Sequence, residues 1–146
     1  MKKFVFKLEK ILNYRRQIVK EKKMAVLEAN RVVREKEELL ESARNEKLEL
    51  LKKRNEEARA KLNVRLLQNF SSFFSVLDRK IDYYKKEIDR ANEELEKCKI
   101  EYIKAVQEER VLEKIKEKDK LNYDYELKKE EEKLIDSIVS FSNKEN

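Results

Sequence analysis

Apolar residues recur along the second half of the chain at gaps that alternate between three and four residues. The column continues from Phe74 to Leu112 and is interrupted at Glu109. Its members are Phe74, Leu77, Ile81, Tyr84, Ile88, Ala91, Leu95, Cys98, Tyr102, Ala105 and Leu112. A spacing of about 3.5 residues falls slightly short of the 3.6 residues of an α-helical turn, so a helix with this column supercoils around a partner helix. The pattern predicts a coiled coil.

The first half of the chain carries its own heptad pattern. Apolar pairs spaced by seven residues are Ile11-Leu12, Ile18-Val19, Ala25-Val26, Val32-Val33 and Leu39-Leu40. A third column on the same face holds Leu8, Ala29 and Ala43, which it shares with Arg15, Lys22 and Lys36. The pattern weakens after Leu51. Because the chain contains no Gly and no Pro, we expect nearly all of it to be helical.

Two long apolar stripes within one chain predict an all-α fold, in which two long helices form an antiparallel coiled-coil hairpin. The turn is predicted at residues 67–72, where Asn69, Ser71 and Ser72 could cap exposed backbone N–H groups. This gives a single domain over 1–146, with helix 1 at about 4–66 and helix 2 at about 73–141. Each arm would be roughly 90–100 Å long at 1.5 Å per residue. The alternative is one unbroken helix in a parallel dimer.

The two ends of the predicted hairpin would meet. The apolar stretch at 134–141 is expected to lie beside the N-terminal segment 4–8, and the polar tail after it is expected to fray. On or beside the predicted turn, an aromatic cluster is expected from Phe70, Phe73, Phe74, Leu77, Tyr83 and Tyr84. Phe73 comes one residue before the apolar column and should point partly outward. Two interpretations remain open, a docking surface and a hydrophobic plug that closes the hairpin.

Charge is abundant and unevenly distributed. Charged residues make up 47% of the chain, but the apolar residues are periodic, which argues against disorder. Residues 1–36 contain twelve Lys and Arg against four Glu, a net charge of +8. Residues 37–62 balance, and residues 63–146 have a net charge of −2. This basic arm favours a negatively charged protein or membrane surface as partner, and no nucleic-acid-binding module is recognisable.

Candidate chemistry is sparse. The absence of His removes the usual general base and a common metal ligand, and the absence of Gly removes phosphate-binding loops. We therefore expect no catalytic, cofactor-binding or metal-binding residues. Cys98 falls in the apolar column, where a structural role is expected. The apolar runs fall far short of the ~20 residues that span a bilayer, and no signal peptide is recognisable, so a reducing cytoplasm is expected.

Both ends of the chain resemble the FliJ family, the small coiled-coil component of the bacterial flagellar protein-export apparatus. The opening Phe4-Val5-Phe6-Lys7-Leu8-Glu9-Lys10-Ile11-Leu12-Asn13-Tyr14-Arg15 looks like the family's aromatic pair followed by Leu-Glu-Lys-Leu/Ile-Leu and an Arg. The segment Arg110-Val111-Leu112-Glu113-Lys114-Ile115-Lys116-Glu117-Lys118, followed by Tyr123 or Tyr125, Glu126, Glu130 and Asp136, resembles its closing segment. Length, hairpin plan and basic balance agree over the entire chain.

The resemblance implies partners and sites. Family members form an antiparallel two-helix coiled coil, bind the hexameric export ATPase with the end that bears both termini, and engage the cytoplasmic linker of the membrane export gate. They also help to deliver chaperones and substrates. The gate-contacting positions correspond here to Phe73, Leu77, Lys80 and Tyr84, of which Lys80 replaces a small residue. The resemblance and the basic arm together suggest ATPase contacts at Lys10, Arg15 and Arg16.

The sequence thus favours a non-enzymatic coupling component of flagellar type III export, located in the cytoplasm and peripherally associated with the inner membrane at the flagellar basal body. Two alternatives share its bulk properties. One is a homodimeric coiled-coil tether without an ATPase partner. The other is a stalk subunit of a rotary ATPase or of a virulence-type export system.

Overall fold

Two long helices make up the computed structural model, which describes residues 2–60 and 64–145. Helix α1 comprises Glu9–Arg59 and helix α2 comprises Val64–Glu145. No β-strand occurs in these two ranges. The all-α prediction is confirmed, as expected for a chain that lacks both Gly and Pro. By contacts the chain divides into two compact units, each of which pairs a segment of α1 with a segment of α2. The expectation of a single domain over 1–146 stays a prediction.

The predicted position of the turn was wrong. Residues 67–72 lie inside α2, which begins at Val64, and α1 ends at Arg59. Leu62 and Asn63, placed by the prediction within helix 1, lie outside the described residues. The stretch is helical because Leu66, Phe70 and Phe73 continue the apolar face of α2 at helical spacing. The polar residues Asn69, Ser71 and Ser72 are exposed positions on this helix.

Unit 2, residues Lys22–Glu101, contains two apolar clusters between α1 and α2. In the first, Ala29 and Val33 of α1 pack against Leu95 of α2. In the second, Leu40 and Ala43 of α1 pack against Ile81. The cluster with the higher residue numbers in α1 has the lower residue number in α2, so the two segments are antiparallel. Throughout α2, every member of the predicted column from 74 to 112 is buried or half-buried, which confirms the heptad assignment.

The basic residues that interrupt the apolar column of α1 have carboxylate partners on α2. In unit 2, Lys22 Nζ lies 3.0 Å from Glu101 Oε2, and Lys36 Nζ lies 3.8 Å from Glu87 Oε2. In unit 1, Arg15 Nη1 donates to Glu108 Oε2 at 2.6 Å. We refer to these three contacts as the seam ion pairs. They explain how a coiled coil accommodates charges on its contact face.

Unit 1 comprises Met1–Glu21 and Tyr102–Asn146, and it begins with a non-helical segment at 2–8. Phe6 of this segment is buried, and its carbonyl accepts a hydrogen bond from the backbone N–H of Glu9 at 3.2 Å. Leu12, in the first turns of α1, is completely buried. The segments of α1 and α2 are again antiparallel, because Glu9 pairs with Lys116 at 2.9 Å and Arg15 pairs with Glu108.

The end of α2 does not lie where the sequence predicted it. Every side chain from 128 to 144 is exposed, including the apolar Leu134, Ile138 and Phe141. The N-terminal Phe4 instead contacts Tyr123, with the ring centroids 5.5 Å apart. The cause is the difference in length, since α2 has 82 residues and α1 has 51. The last turns of α2 therefore extend beyond the part that the N-terminal segment covers.

Candidate functional site

A groove lies near the turn, within unit 2, between the last turns of α1 and the first turns of α2. It has a volume of about 600 Å³ and is open to solvent. The wall from α1 is formed by Glu46, Leu50 and Lys53. The wall from α2 is formed by Leu66, Asn69, Phe70, Phe73, Val76, Leu77 and Lys80. Five of them, Leu66, Phe70, Phe73, Leu77 and Lys80, follow one another at alternating gaps of four and three residues and so share one face of the helix, with Asn69 and Val76 beside them.

The three phenylalanines of the cluster have different environments. Phe70 is 8% exposed and faces α1, so it is the residue that closes the apolar core at this end. Phe74 is half-buried and lies beneath the guanidinium of Arg54, whose Cζ is 5.2 Å from the ring centroid. Phe73 is 60% exposed and lines the groove. The cluster is therefore both a plug, through Phe70, and an accessible aromatic surface, through Phe73.

Three of the four predicted gate-contacting residues lie together. Phe73, Leu77 and Lys80 all line the groove. The ammonium of Lys80 lies 3.6 Å from Glu46 Oε1 on α1, so the groove has an ion pair at its rim. Tyr84 is not among the lining residues. It packs against the buried cluster of Leu40, Ala43 and Ile81, as its place in the apolar column requires.

The three predicted ATPase-contacting residues, all in unit 1, differ in what they already bind. Arg15 is held by Glu108. Arg16 Nη2 donates to Glu113 Oε1 at 2.7 Å, and this hydrogen bond, followed by the charges of Glu113, Glu9 and Glu109, raises the pKa of the Arg16 guanidinium. Lys10 is exposed and has no ion-pair partner among residues 2–60 and 64–145. Arg15 and Arg16 therefore connect α1 to α2 by ion pairs, whereas the ammonium of Lys10 is available to a partner.

The N-terminal segment is fixed to α2 by a small aromatic cluster within unit 1. The hydroxyl of Tyr123 donates a hydrogen bond to the carbonyl of Lys2 at 2.5 Å. The ammonium of Lys120 lies 5.2 Å from the ring centroid of Phe4 and 4.9 Å from that of Tyr123. A cation over an aromatic face is attracted by the ring quadrupole. The basic end of the chain is thus ordered against α2 at Phe4.

The described ranges give little support for a metal site, a reactive thiol or a membrane-spanning helix. They hold no group of three or more His, Cys, Asp or Glu residues arranged to bind a metal ion. Cys98 lies at the first apolar cluster, and burial, the nearby charge of Glu94 and a hydrogen bond to Glu94 raise the pKa of its thiol. A raised pKa makes the thiol a poor nucleophile at neutral pH. None of the helices in the described part is long and apolar enough to span a membrane.

Comparison with protein families adds the decisive observation. The chain matches the family described as flagellar FliJ protein over residues 3–145. The chain belongs to the FliJ family. Family membership confirms the resemblance seen in the sequence and assigns the chain to the flagellar protein-export apparatus. No curated protein and no solved structure gives a significant match.

Sequence reasoning missed part of the groove of this FliJ-family chain. Leu50 and Lys53 of α1 were not predicted as site residues, because their position opposite α2 depends on the pairing of the two helices. Leu66 and Asn69 were assigned to helix 1 and to the turn. A signal for Leu66 was present, since it precedes Phe70 by four residues and Phe73 by seven on one helical face.

Proposed function

We propose that this FliJ-family chain is a non-enzymatic coupling component of flagellar export, and that the groove near its turn binds the cytoplasmic linker of the membrane export gate. The observation that carries the proposal is the position of Phe73, Leu77 and Lys80 on one open groove. These are three of the four positions that the family resemblance implies for gate binding. The protein would act in the cytoplasm, peripherally associated with the inner membrane at the flagellar basal body.

The chemistry of the groove supports an apolar ligand segment with some negative charge. Phe70, Phe73, Val76 and Leu77 provide apolar surface, while Lys53 contributes a positive charge at the rim. Burial of an exposed Phe side chain contributes about 1.5–3 kcal/mol, which corresponds to roughly ten- to hundredfold in affinity. Phe73 alone could therefore decide whether the linker binds at working concentrations.

The second part of the proposal concerns the export ATPase hexamer and, with it, export chaperones. The basic N-terminal region of unit 1 would contact the ATPase. Lys10 is the best candidate contact, because its ammonium is exposed while Arg15 and Arg16 are engaged by carboxylates of α2. An unpaired surface cation can approach an acidic partner without first breaking an ion pair of its own.

The gate-binding proposal is tested by three phenylalanine variants in a binding assay with the purified linker. Phe73→Ala should reduce linker affinity ten- to hundredfold and leave the melting temperature unchanged. Phe141→Ala, which removes a ring of similar exposure from the other end of α2, should change neither. Phe70→Ala should lower the melting temperature, because this ring is buried in the core.

Two outcomes would contradict the proposal. The first is equal linker affinity for Phe73→Ala and Phe141→Ala, which would mean that the groove does not contact the linker. The second is a melting temperature lowered as much by Phe73→Ala as by Phe70→Ala, with linker binding intact. In that case Phe73 would be part of the hydrophobic plug.

A further inference from the structure

We propose that the end of unit 2 at which α1 ends and α2 begins, called here the turn end and represented by the described residues 52–60 and 64–80, binds an anionic membrane surface directly. The contact would be made by exposed Lys and Arg side chains, with exposed apolar side chains that insert between lipid headgroups. This inference goes beyond the proposed gate binding, because its ligand is lipid and its residues lie mostly outside the groove.

The first observation is the charge of the turn end. Residues 52–80 contain eight Lys and Arg against three Asp and Glu, a net charge of +5, while the whole chain has +6. The twenty residues from 58 to 77 contain no carboxylate at all. In a chain of 146 residues with 31 Asp and Glu, a stretch of that length would contain about four. Carboxylates are missing where anionic headgroups would repel them.

The second observation is that several of these cations are free to bind a ligand. Lys52, Lys53, Arg59 and Arg65 are exposed, and no carboxylate of residues 2–60 or 64–145 lies within ion-pair distance of them. The acidic Asp78 is already paired with Lys47 of α1 at 2.6 Å. These four side chains are therefore accessible to an anionic surface. Each Lys or Arg close to an anionic leaflet raises membrane partitioning roughly fivefold.

The third observation is the distribution of exposed apolar side chains. Val64 is 72% exposed and Leu67 is 46% exposed. Phe73 and Val76 line the groove described above, whereas Leu67 lines a separate depression on the other side of α2 with Phe74. A single bound protein segment in the groove would leave Leu67, on the other side of α2, uncovered. A lipid surface can cover apolar side chains on both sides of the turn end, because each inserts independently at the headgroup boundary.

The test is cosedimentation of the full chain with vesicles of phosphatidylcholine, with and without about 30% phosphatidylglycerol. Wild-type protein should bind the anionic vesicles and not the neutral ones, and binding should weaken as salt is raised. Arg59→Gln combined with Arg65→Gln should reduce partitioning roughly twenty-five-fold, from two losses of about fivefold. The matched control, Arg44→Gln with Lys97→Gln, removes two exposed charges elsewhere in unit 2 that have no ion-pair partner within 2–60 and 64–145, and it should bind like wild type.

Three results would overturn the proposal. The first is wild-type protein that stays in the supernatant with anionic vesicles at low salt. The second is an equal loss of vesicle binding by the two double variants. The third result would be intact vesicle binding by Arg59→Gln, Arg65→Gln together with weakened gate-linker binding. The basic end would then meet an acidic protein segment. Because Arg59 and Arg65 do not line the groove, failure of the Phe73→Ala test does not affect the vesicle result.

Discussion

Truncation of Leu95 tests the packing of the first apolar cluster. Leu95 is 7% exposed on α2 and packs against Ala29 and Val33 of α1. Leu95→Ala removes three carbon atoms, which at about 0.8 kcal/mol per buried methylene is about 2.4 kcal/mol. The facing side chains of Ala29 and Val33 are short and cannot fill the space, so a cavity contribution adds to this loss. We expect a loss of about 3 kcal/mol in the free energy of unfolding.

The assay is thermal and urea unfolding followed by far-ultraviolet circular dichroism. A loss of this size in a chain of this length should lower the melting temperature by about 10 °C. The control is Ile100→Ala, five residues further along α2, whose side chain is largely exposed. It should change stability by less than about 0.5 kcal/mol. Equal melting temperatures for the two variants would refute the assignment of Leu95 to the contact face.

Three further predictions follow from the local environments. Cys98 should react with a disulfide reagent more slowly than a free thiol at neutral pH. Glu94→Gln should lower the pKa of the Cys98 thiol and speed the reaction, because a charge that opposes the thiolate is removed. Equal reaction rates for wild type and Glu94→Gln would contradict this. Lys10→Glu should weaken ATPase binding without lowering the melting temperature. Arg15→Glu should also lower the melting temperature, because it places a second carboxylate next to that of Glu108. Tyr123→Phe should increase hydrogen exchange in residues 2–8, since it removes the hydroxyl that holds Lys2.

The contact face of α2 could be read from the sequence because it depends on local periodicity alone. A gap of three or four residues fixes which side of a helix a residue occupies, whatever the partner is. Leu95, Ile81 and Ala105 are all buried, as their place in the column predicts. The same rule accounts for Tyr84, which packs against the cluster of Leu40, Ala43 and Ile81 and is not among the residues that line the groove.

The turn and the groove could not be read in the same way. Asn69, Ser71 and Ser72 have weak helix propensity, which the burial of the neighbouring Phe70 on the apolar face of α2 outweighs. The α1 wall of the groove requires knowledge of the register between two helices, which no local pattern contains. The same is true of the exposed end of α2, since the lengths of both helices had to be known before residues 128–144 could be recognised as uncovered.

Register is the property that links the seam ion pairs to the candidate site. Exposed ion pairs contribute little to stability, typically below about 1 kcal/mol, but a register shift would place charges on the contact face without partners. A slip of one heptad in one direction would bring Ile115 to Arg15 in place of its carboxylate, and a slip in the other direction would bring Lys80 to Lys36. Arg15 therefore disfavours the first shift and Lys36 disfavours the second. The native register is also the one that places Leu50 and Lys53 opposite Phe73, so within unit 2 the pair of Lys36 with Glu87 opposes a shift that would rearrange the two walls of the groove.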